Sequence, residues 1–439
     1  MIEADILIHN GTILTMDKHG TVIPNGLLCI LGDKINYIGK NNNESISAKR
    51  EMDAEGGLIL PGLINSHTHA AMTLFRGLAD DLPLMEWLNA YIFPVEGKMN
   101  GDFVKTGALL ACAEMIMSGT TTFCDMYLFE EEVAEAAKES GMRCLAGEVL
   151  YDFPSPNYGT VENGFTYTEN LINRWENDPL INIAVEPHSV FTCSAKLLLK
   201  ANELALEKDV PLILHLAETR QELIEVEKKF GKRPAQYLRD LGILGPHLIL
   251  DHCVYINESE MALLSENNVC VVHNPESNMK LASGIAPVPE MIAKGITVGL
   301  GTDGCASNNN LDLFGEMDMA AKLHKVNKLD PTVMDAKTII DMTTKKGAKV
   351  LGLENKIGSL EVGKKADLII IDINKPHLTP MYNPYSHIVY AANGHDVKSS
   401  VIDGRIVMED RNLLTLDVEG VMERAREKSK MVREWVKRE

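Results

Sequence analysis

Two histidines one residue apart, His67 and His69, close the apolar run Leu58-Ile-Leu-Pro-Gly-Leu-Ile-Asn-Ser. In an extended strand residues i and i+2 face the same side, so both imidazoles can close on one ion. An H-x-H pair alone is more often structural than metal-binding. This pair has company: other short apolar runs end in Asp125, Glu148, His188, His215 (with Glu218 three residues on), His252, His273 and Asp303. Six of the chain's 13 histidines stand at such ends, which random placement would not produce. Three imidazoles (His67, His69, His215) and the carboxylate of Asp303 suit zinc or ferrous iron and leave a position for water. An ion there lowers the pKa of its water from about 15.7 toward about 7, which is hydrolytic chemistry. Asp303 can bind the ion and take the water's proton, His252 can orient the water, and Glu218 can give a proton to a ring nitrogen under attack. Barrels with two metals carry a bridging lysine-derived carboxylate after the fourth strand, but Glu186-Pro-His188 has no lysine, so one ion is expected.

These groups need a frame that brings distant strand ends together. Between residues 58 and 356, eight β-rich runs (58–65, 120–124, 143–147, 181–186, 211–214, 248–250, 269–272 and 297–301) alternate with helical stretches. Eight such units in series predict an α/β fold, a (β/α)8 TIM barrel, whose strands all deliver their C-terminal residues to one mouth. Hairpin-like runs punctuated by Asn-Gly and Gly-Asp open the chain, and the same texture returns near residues 366–372 and 401–408. The two terminal segments, 1–57 and 357–415, are therefore expected to build one small β-sandwich domain beside a catalytic barrel at 58–356. Residues 416–439 alternate charge and apolar side chains at three- and four-residue spacing and read as a surface helix.

Composition narrows the partners. Forty-three Lys and Arg against 62 Asp and Glu give a net charge of −19, which repels nucleic acid. The acidic start and the lack of any apolar run near about 18 residues predict a cytoplasmic protein with no membrane partner. The 8 cysteines include no C-x-x-C pair and are expected as reduced core thiols.

Several motifs together resemble the amidohydrolase superfamily along nearly the whole chain, and most closely its 5-methylthioadenosine/S-adenosylhomocysteine deaminases. They are Pro61-Gly-Leu-Ile-Asn-Ser-His-Thr-His, the stretch from Ala71 to Leu88 with Pro94-Val-Glu, Glu186-Pro-His-Ser, His215-Leu-Ala-Glu, Asp251-His-Cys, Val272-His-Asn-Pro-Glu-Ser-Asn and Gly301-Thr-Asp-Gly-Cys-Ala-Ser. The resemblance implies His67, His69, His215 and Asp303 as metal ligands, Glu218 as proton shuttle to N1 of an adenine, and His252 as partner of the attacking water. It also implies Trp87 and Ser307 in the base pocket, Glu96 on the ribose hydroxyls, His188 on the sugar side and His273 in support. The implied reaction is metal-dependent deamination of an adenine nucleoside with release of ammonia, and a homo-oligomer is expected by analogy. Some relatives place arginine where this chain has Glu148, and a second arginine is missing from Tyr151-Asp-Phe-Pro-Ser-Pro-Asn-Tyr-Gly. Glu148 at the 5′ end of the substrate repels a carboxylate, so small or neutral 5′ groups are expected over S-adenosylhomocysteine. Guanine deaminases and s-triazine hydrolases share the ligand pattern and stay open as alternatives.

Overall fold

The computed structural model describes residues 2–41, 46–82, 86 and 88–437. Both ends of the chain contribute to one sheet. Its N-terminal strands are β1 (Ile2–Leu14), β2 (Val22–Leu31), β3 (Lys34–Lys40), β4 (Ile46–Asp53) and β5 (Leu58–Pro61). The first half of β1 runs parallel to β4 and its second half parallel to β5, so the sheet curls over itself. Inward residues such as Ile8, Ile13, Leu28, Ile30, Leu368, Ile370 and Val401 form a core of their own within this sandwich.

The barrel strands follow: β6 (Leu63–Thr68), β7 (Thr120–Tyr127), β8 (Arg143–Leu150), the split pair β9 (Ile181–Ile183) and β10 (Glu186–Pro187), β11 (Leu212–Leu216), β12 (Leu248–His252), β13 (Cys270–His273) and β14 (Thr297–Leu300). All their pairings are parallel. Bridges Val185 to Leu212 and Ser189 to His215 join the two halves, and β14 lies against β6 to close the ring. At that seam Asp303 N donates to His67 O at 3.0 Å. Gly301 passes so close that a Cβ would sit 2.9 Å from His67 N and Cβ. Closure of the barrel and placement of His67 are thus one event.

Two expected boundaries move. The run 58–65 is not one strand: β5 pairs antiparallel with β15 (Leu368–Ile371) in the sandwich, and the barrel begins at β6. Both pieces are buried throughout, so the apolar pattern runs unbroken across the joint. The joint is Gly62, where a Cβ would lie 2.1 Å from Thr121 Oγ1, so only glycine threads between the layers. Second, the terminal segment 357–415 is not purely β. Between β15 and β16 (Val397–Ile402) it inserts the helix Pro384–Tyr390, which packs on the barrel helices Leu313–Lys328 and Ala336–Met342. The sheet then ends in β17 (Arg405–Glu409) and β18 (Asn412–Leu413). All 8 cysteines are free and buried. Among the described residues no helix is long and apolar enough to cross a membrane.

A buried cation ties the two layers together. Arg143, at the start of β8 and 1% exposed, donates from Nε to Asp367 Oδ2 at 3.0 Å, and from Nη2 to Asp367 Oδ1 and Asp403 Oδ1, both at 3.2 Å. Removing it leaves, among the described residues, the buried Asp367 carboxylate without a cation and Asp403 with Lys365 alone. Arg143→Leu should lower stability by about 3–5 kcal/mol, read as a shift of the urea midpoint; an unshifted midpoint would show that the layers do not depend on the pair.

Candidate active site

The C-terminal ends of the strands meet at the barrel mouth as expected. His67 and His69 leave β6, His215 leaves β11, His252 ends β12, and Asp303 follows β14. Ring centroids of His67 lie 4.9 Å from His69, 5.0 Å from His215 and 5.8 Å from His252. The Nδ1 atoms have neighbours away from the centre: that of His67 lies 3.2 Å from Asp251 Oδ2 without a hydrogen bond, His69 bonds the Met126 carbonyl, His215 bonds His188 O at 2.9 Å, and His252 bonds Asn278 Oδ1 at 2.9 Å. A partner on Nδ1 fixes the ring and leaves Nε2 for the centre. Asp303 Oδ1 is 3.1 Å from His69 Nε2 and 3.6 Å from His67 Nε2. Its Oδ2 accepts from Ser277 Oγ at 2.6 Å and Ser307 Oγ at 3.0 Å.

The residues present fit a divalent cation. His67 is fully buried and its Nε2 has no hydrogen-bond partner, a state that costs about 1–3 kcal/mol unless something coordinates it. Donor atoms of His67, His69 and Asp303 lie within 4.8 Å of one another, and so do those of His67, His215 and His252. Imidazole nitrogen with carboxylate oxygen is a donor set for zinc or iron. Positive φ at Ala217 (52°), His252 (69°), Cys253 (49°) and Asp303 (61°) shows that these turns accept backbone strain to hold their side chains in place.

A cavity of about 320 Å³ opens above this centre. Glu218, Glu96, His188 and Ser307 all face it, together with His69, His215, His252 and Asp303. Trp87 lies outside the described residues. Glu148 does not face the cavity and is corrected here. Successive strand residues point to opposite sides, and it is Val149 that lines the wall. The Glu148 carboxylate is buried behind, accepting from Glu130 N and Asn157 Nδ2, each at 2.9 Å. His273 also stays off the cavity, its Nε2 3.1 Å from His324 Nε2. The sequence reading missed Tyr127, whose hydroxyl donates to Glu96 Oε1 at 2.7 Å. It also missed Glu222, whose two oxygens accept from Ala217 N at 2.9 Å and Glu218 N at 2.8 Å. Tyr127 escaped because β7 runs three residues beyond the expected 120–124; Glu222 sits in the first turn of a helix, where a carboxylate has an ordinary explanation.

Residues 58–407 match the amidohydrolase family model. The chain belongs to the amidohydrolase family. Among curated relatives of this amidohydrolase, the 5-methylthioadenosine/S-adenosylhomocysteine deaminase of Syntrophobacter fumaroxidans is 59% identical over 97% of each chain. The 5′-deoxyadenosine deaminase of Methanosarcina acetivorans is 45% identical over 96% of this chain and 97% of its own. A crystal structure of an adenosine deaminase from Xanthomonas campestris with bound zinc superimposes with a TM-score of 0.97 at 36% identity, covering 98% of this chain and 99% of that one. The first of these relatives places the amidohydrolase among the 5-methylthioadenosine/S-adenosylhomocysteine deaminases, enzymes of the aminohydrolase class.

Electrostatics divide the amidohydrolase's site into neutral and charged groups. Burial pulls His67 down to about 4 and His215 well below the usual histidine range, which leaves neutral imidazoles. Burial also opposes charge on His69, but the bonded Asp303, with Asp125 behind it, outweighs this and lifts it to about 9. Asp303 is held well below the carboxylate range in spite of burial by the imidazoles of His67 and His69 beside it. Glu218 moves the other way, raised chiefly by burial and then by the Asp303 charge. A cation that takes His69 must displace its proton below about pH 9, so binding should strengthen as pH rises. Chelator competition should show the apparent zinc dissociation constant falling by about tenfold per unit between about pH 6 and 9; a flat profile would contradict the assignment of His69.

Proposed function

We propose that this enzyme hydrolytically deaminates adenine nucleosides to the matching inosines with release of ammonia, using one divalent ion, zinc in the first instance. The reading rests on one observation: a carboxyl with a raised pKa, Glu218, and a fixed carboxylate acceptor, Glu96, face a single cavity whose floor is the histidine and aspartate centre. His67, His69, His215 and Asp303 would hold the ion. Bound there, it makes water acidic enough to supply a nucleophile near neutral pH.

The chain's own groups do the rest. Asp303 is ionised and takes the proton of the attacking water. His252, anchored at Nδ1 by Asn278, turns its other nitrogen toward that water and orients it. Glu218, whose carboxyl burial pushes upward toward the proton-holding form, gives its proton to N1 as oxygen adds at C6, so that no full negative charge builds on the ring. Collapse of the tetrahedral carbon expels the amino group, which leaves as ammonia with a proton carried by Asp303 or Glu218. The backbone of Glu218 is clamped by Glu222, which fixes the direction of transfer.

The sugar end has its own fixtures. With Oε1 engaged by Tyr127, Glu96 offers its other oxygen to the ribose hydroxyls. His188 Nδ1 sits 2.9 Å from Thr192 Oγ1, which leaves its second ring nitrogen for the sugar. Ser307, which faces the cavity beside Asp303, is assigned to the base end. A ribose acceptor has no task on a free base or a triazine, so the nucleoside reading is favoured over the guanine- or triazine-hydrolysing alternatives.

The 5′ substituent meets an apolar wall. Tyr151 stacks on Phe153 with ring centroids 3.8 Å apart and planes 11° apart, and Phe191 stands nearby. No described lining residue is Lys or Arg. A carboxylate there would be desolvated without a partner. The expected order of kcat/KM is therefore 5′-methylthioadenosine, 5′-deoxyadenosine and adenosine above S-adenosylhomocysteine. A panel assay following loss of the adenine absorbance and release of ammonia tests this; a clear lead for the homocysteine derivative would reverse the substrate order, and no turnover of any of the four by zinc-loaded enzyme would falsify the deaminase reading. In the same assay Glu218→Gln should lower kcat by about 10²–10⁴-fold with zinc content unchanged.

A further inference from the structure

The short segment that carries Glu96 cannot hold its own shape. Leu88–Ile92 forms one π turn and Phe93–Glu96 a single α turn, with no side-chain cap at its start. An isolated turn of this length is unstable in water, and its orientation must come from what it packs against. On the cavity side that is Tyr127, through its bond to Glu96. On the far side it is the C-terminal helix Val418–Lys437.

This helix is more than a solvated surface element. Val421, Ala425 and Val432 are buried, and Trp435 continues the same stripe at four-, seven- and three-residue steps. The stripe rests on three pieces of the site's support: the Phe93–Glu96 turn, the turn Ala70–Phe75 that follows His69, and the helix Gly101–Met117. Trp435 faces Phe103 with ring centroids 5.5 Å apart, and Phe103 faces Phe75 at 5.9 Å. Lys98 Nζ, two residues past Glu96, donates to the Trp435 carbonyl at 3.2 Å. Lys428 pairs with Asp102. The last turns of the chain thus grip both ends of the loop between Glu96 and the Gly101 helix.

We propose that the C-terminal helix, through Trp435, is a positioning element that sets Glu96 for the ribose. It does not touch substrate. The proposal deepens the nucleoside reading above and relies on the role given there to Glu96. It places part of the substrate specificity in the last turns of the chain, far in sequence from every group that does chemistry.

Trp435→Ala in the full-length, zinc-loaded enzyme tests it. The expected result is a rise of about tenfold in KM for adenosine and 5′-methylthioadenosine with kcat within about twofold, unchanged zinc stoichiometry, and faster amide exchange confined to residues 88–99. Trp435→Phe, which keeps a ring against Phe103, should restore KM, and Arg433→Ala on the exposed face should behave as the parent. A purely structural tryptophan would lower the active fraction, and so the apparent kcat, while leaving KM unmoved; that outcome overturns the proposal. Unchanged exchange at 88–99 overturns it too. Exchange needs no substrate, so it decides the positioning claim even if the parent enzyme turns over no nucleoside, a result that would count against the deaminase reading instead.

Discussion

The structure depends on gathering His67, His69, His188, His215 and His252 around Asp303 where no described Lys or Arg joins them in the cavity. Imidazoles packed this tightly would repel one another if protonated and would compete for the same protons if free to turn. The fold limits the turning by giving each Nδ1 its own neighbour, whether Asp251, the Met126 carbonyl, Thr192, the His188 carbonyl or Asn278, and burial works against protonation of His67, His188 and His215. Two of these neighbours are backbone carbonyls of adjacent strands, so the direction of the rings is built into strand register. No side-chain substitution at those two positions can remove the acceptor. What can disturb it is a change in how the strands approach each other, as at the Gly301 contact with His67.

A second layer of acids lies in the same interior. Asp125, Glu130, Glu148, Glu186 and Asp251 are all fully buried, and in each burial is the first cause of an upward pKa shift. An ionised carboxylate in that setting costs several kcal/mol, so burial works against the charged form of each. Asp303 differs because two imidazoles lie against it, His69 at 3.1 Å and His67 at 3.6 Å. Glu218 differs from both, facing the cavity with its backbone clamped. Similar side chains a few ångströms apart are thereby shifted in opposite directions by environment alone, as the roles proposed for Asp303 and Glu218 require.

Much of this was legible in the sequence because histidine is rare and strand ends are few. Once eight apolar runs are read as barrel strands, His67, His69, His215, His252 and Asp303 must share a mouth, and they do. What was not legible depends on where a strand stops and which face a residue takes. Glu148 is expected at the substrate because it follows the run 143–147 and stands where some relatives place arginine, but β8 continues to Leu150 and its alternation turns Val149 to the cavity. One residue of register exchanges the two faces. Tyr127 was hidden by the same kind of underestimate in β7. The joint at Gly62 was hidden because burial on both sides leaves no polar mark at the change of sheet. The C-terminal helix was visible as amphipathic, but nothing in its own sequence says which surface its apolar stripe covers.

These limits follow a physical division within the molecule. The groups proposed to bind the ion and move protons stand on or just after strands, where paired backbones fix them. Those proposed to meet the sugar and the 5′ substituent stand on the 88–96 turns, on the Tyr151–Phe153 stack and around His188, outside the closed ladder. Loops and short turns can be rebuilt without disturbing the barrel, whereas a shift in the strands moves several ligands together. Curated relatives 59% and 45% identical to this chain carry different substrates in their names on nearly the same length of chain. That pattern is expected where reaction chemistry is tied to strand register and substrate choice to the walls around it.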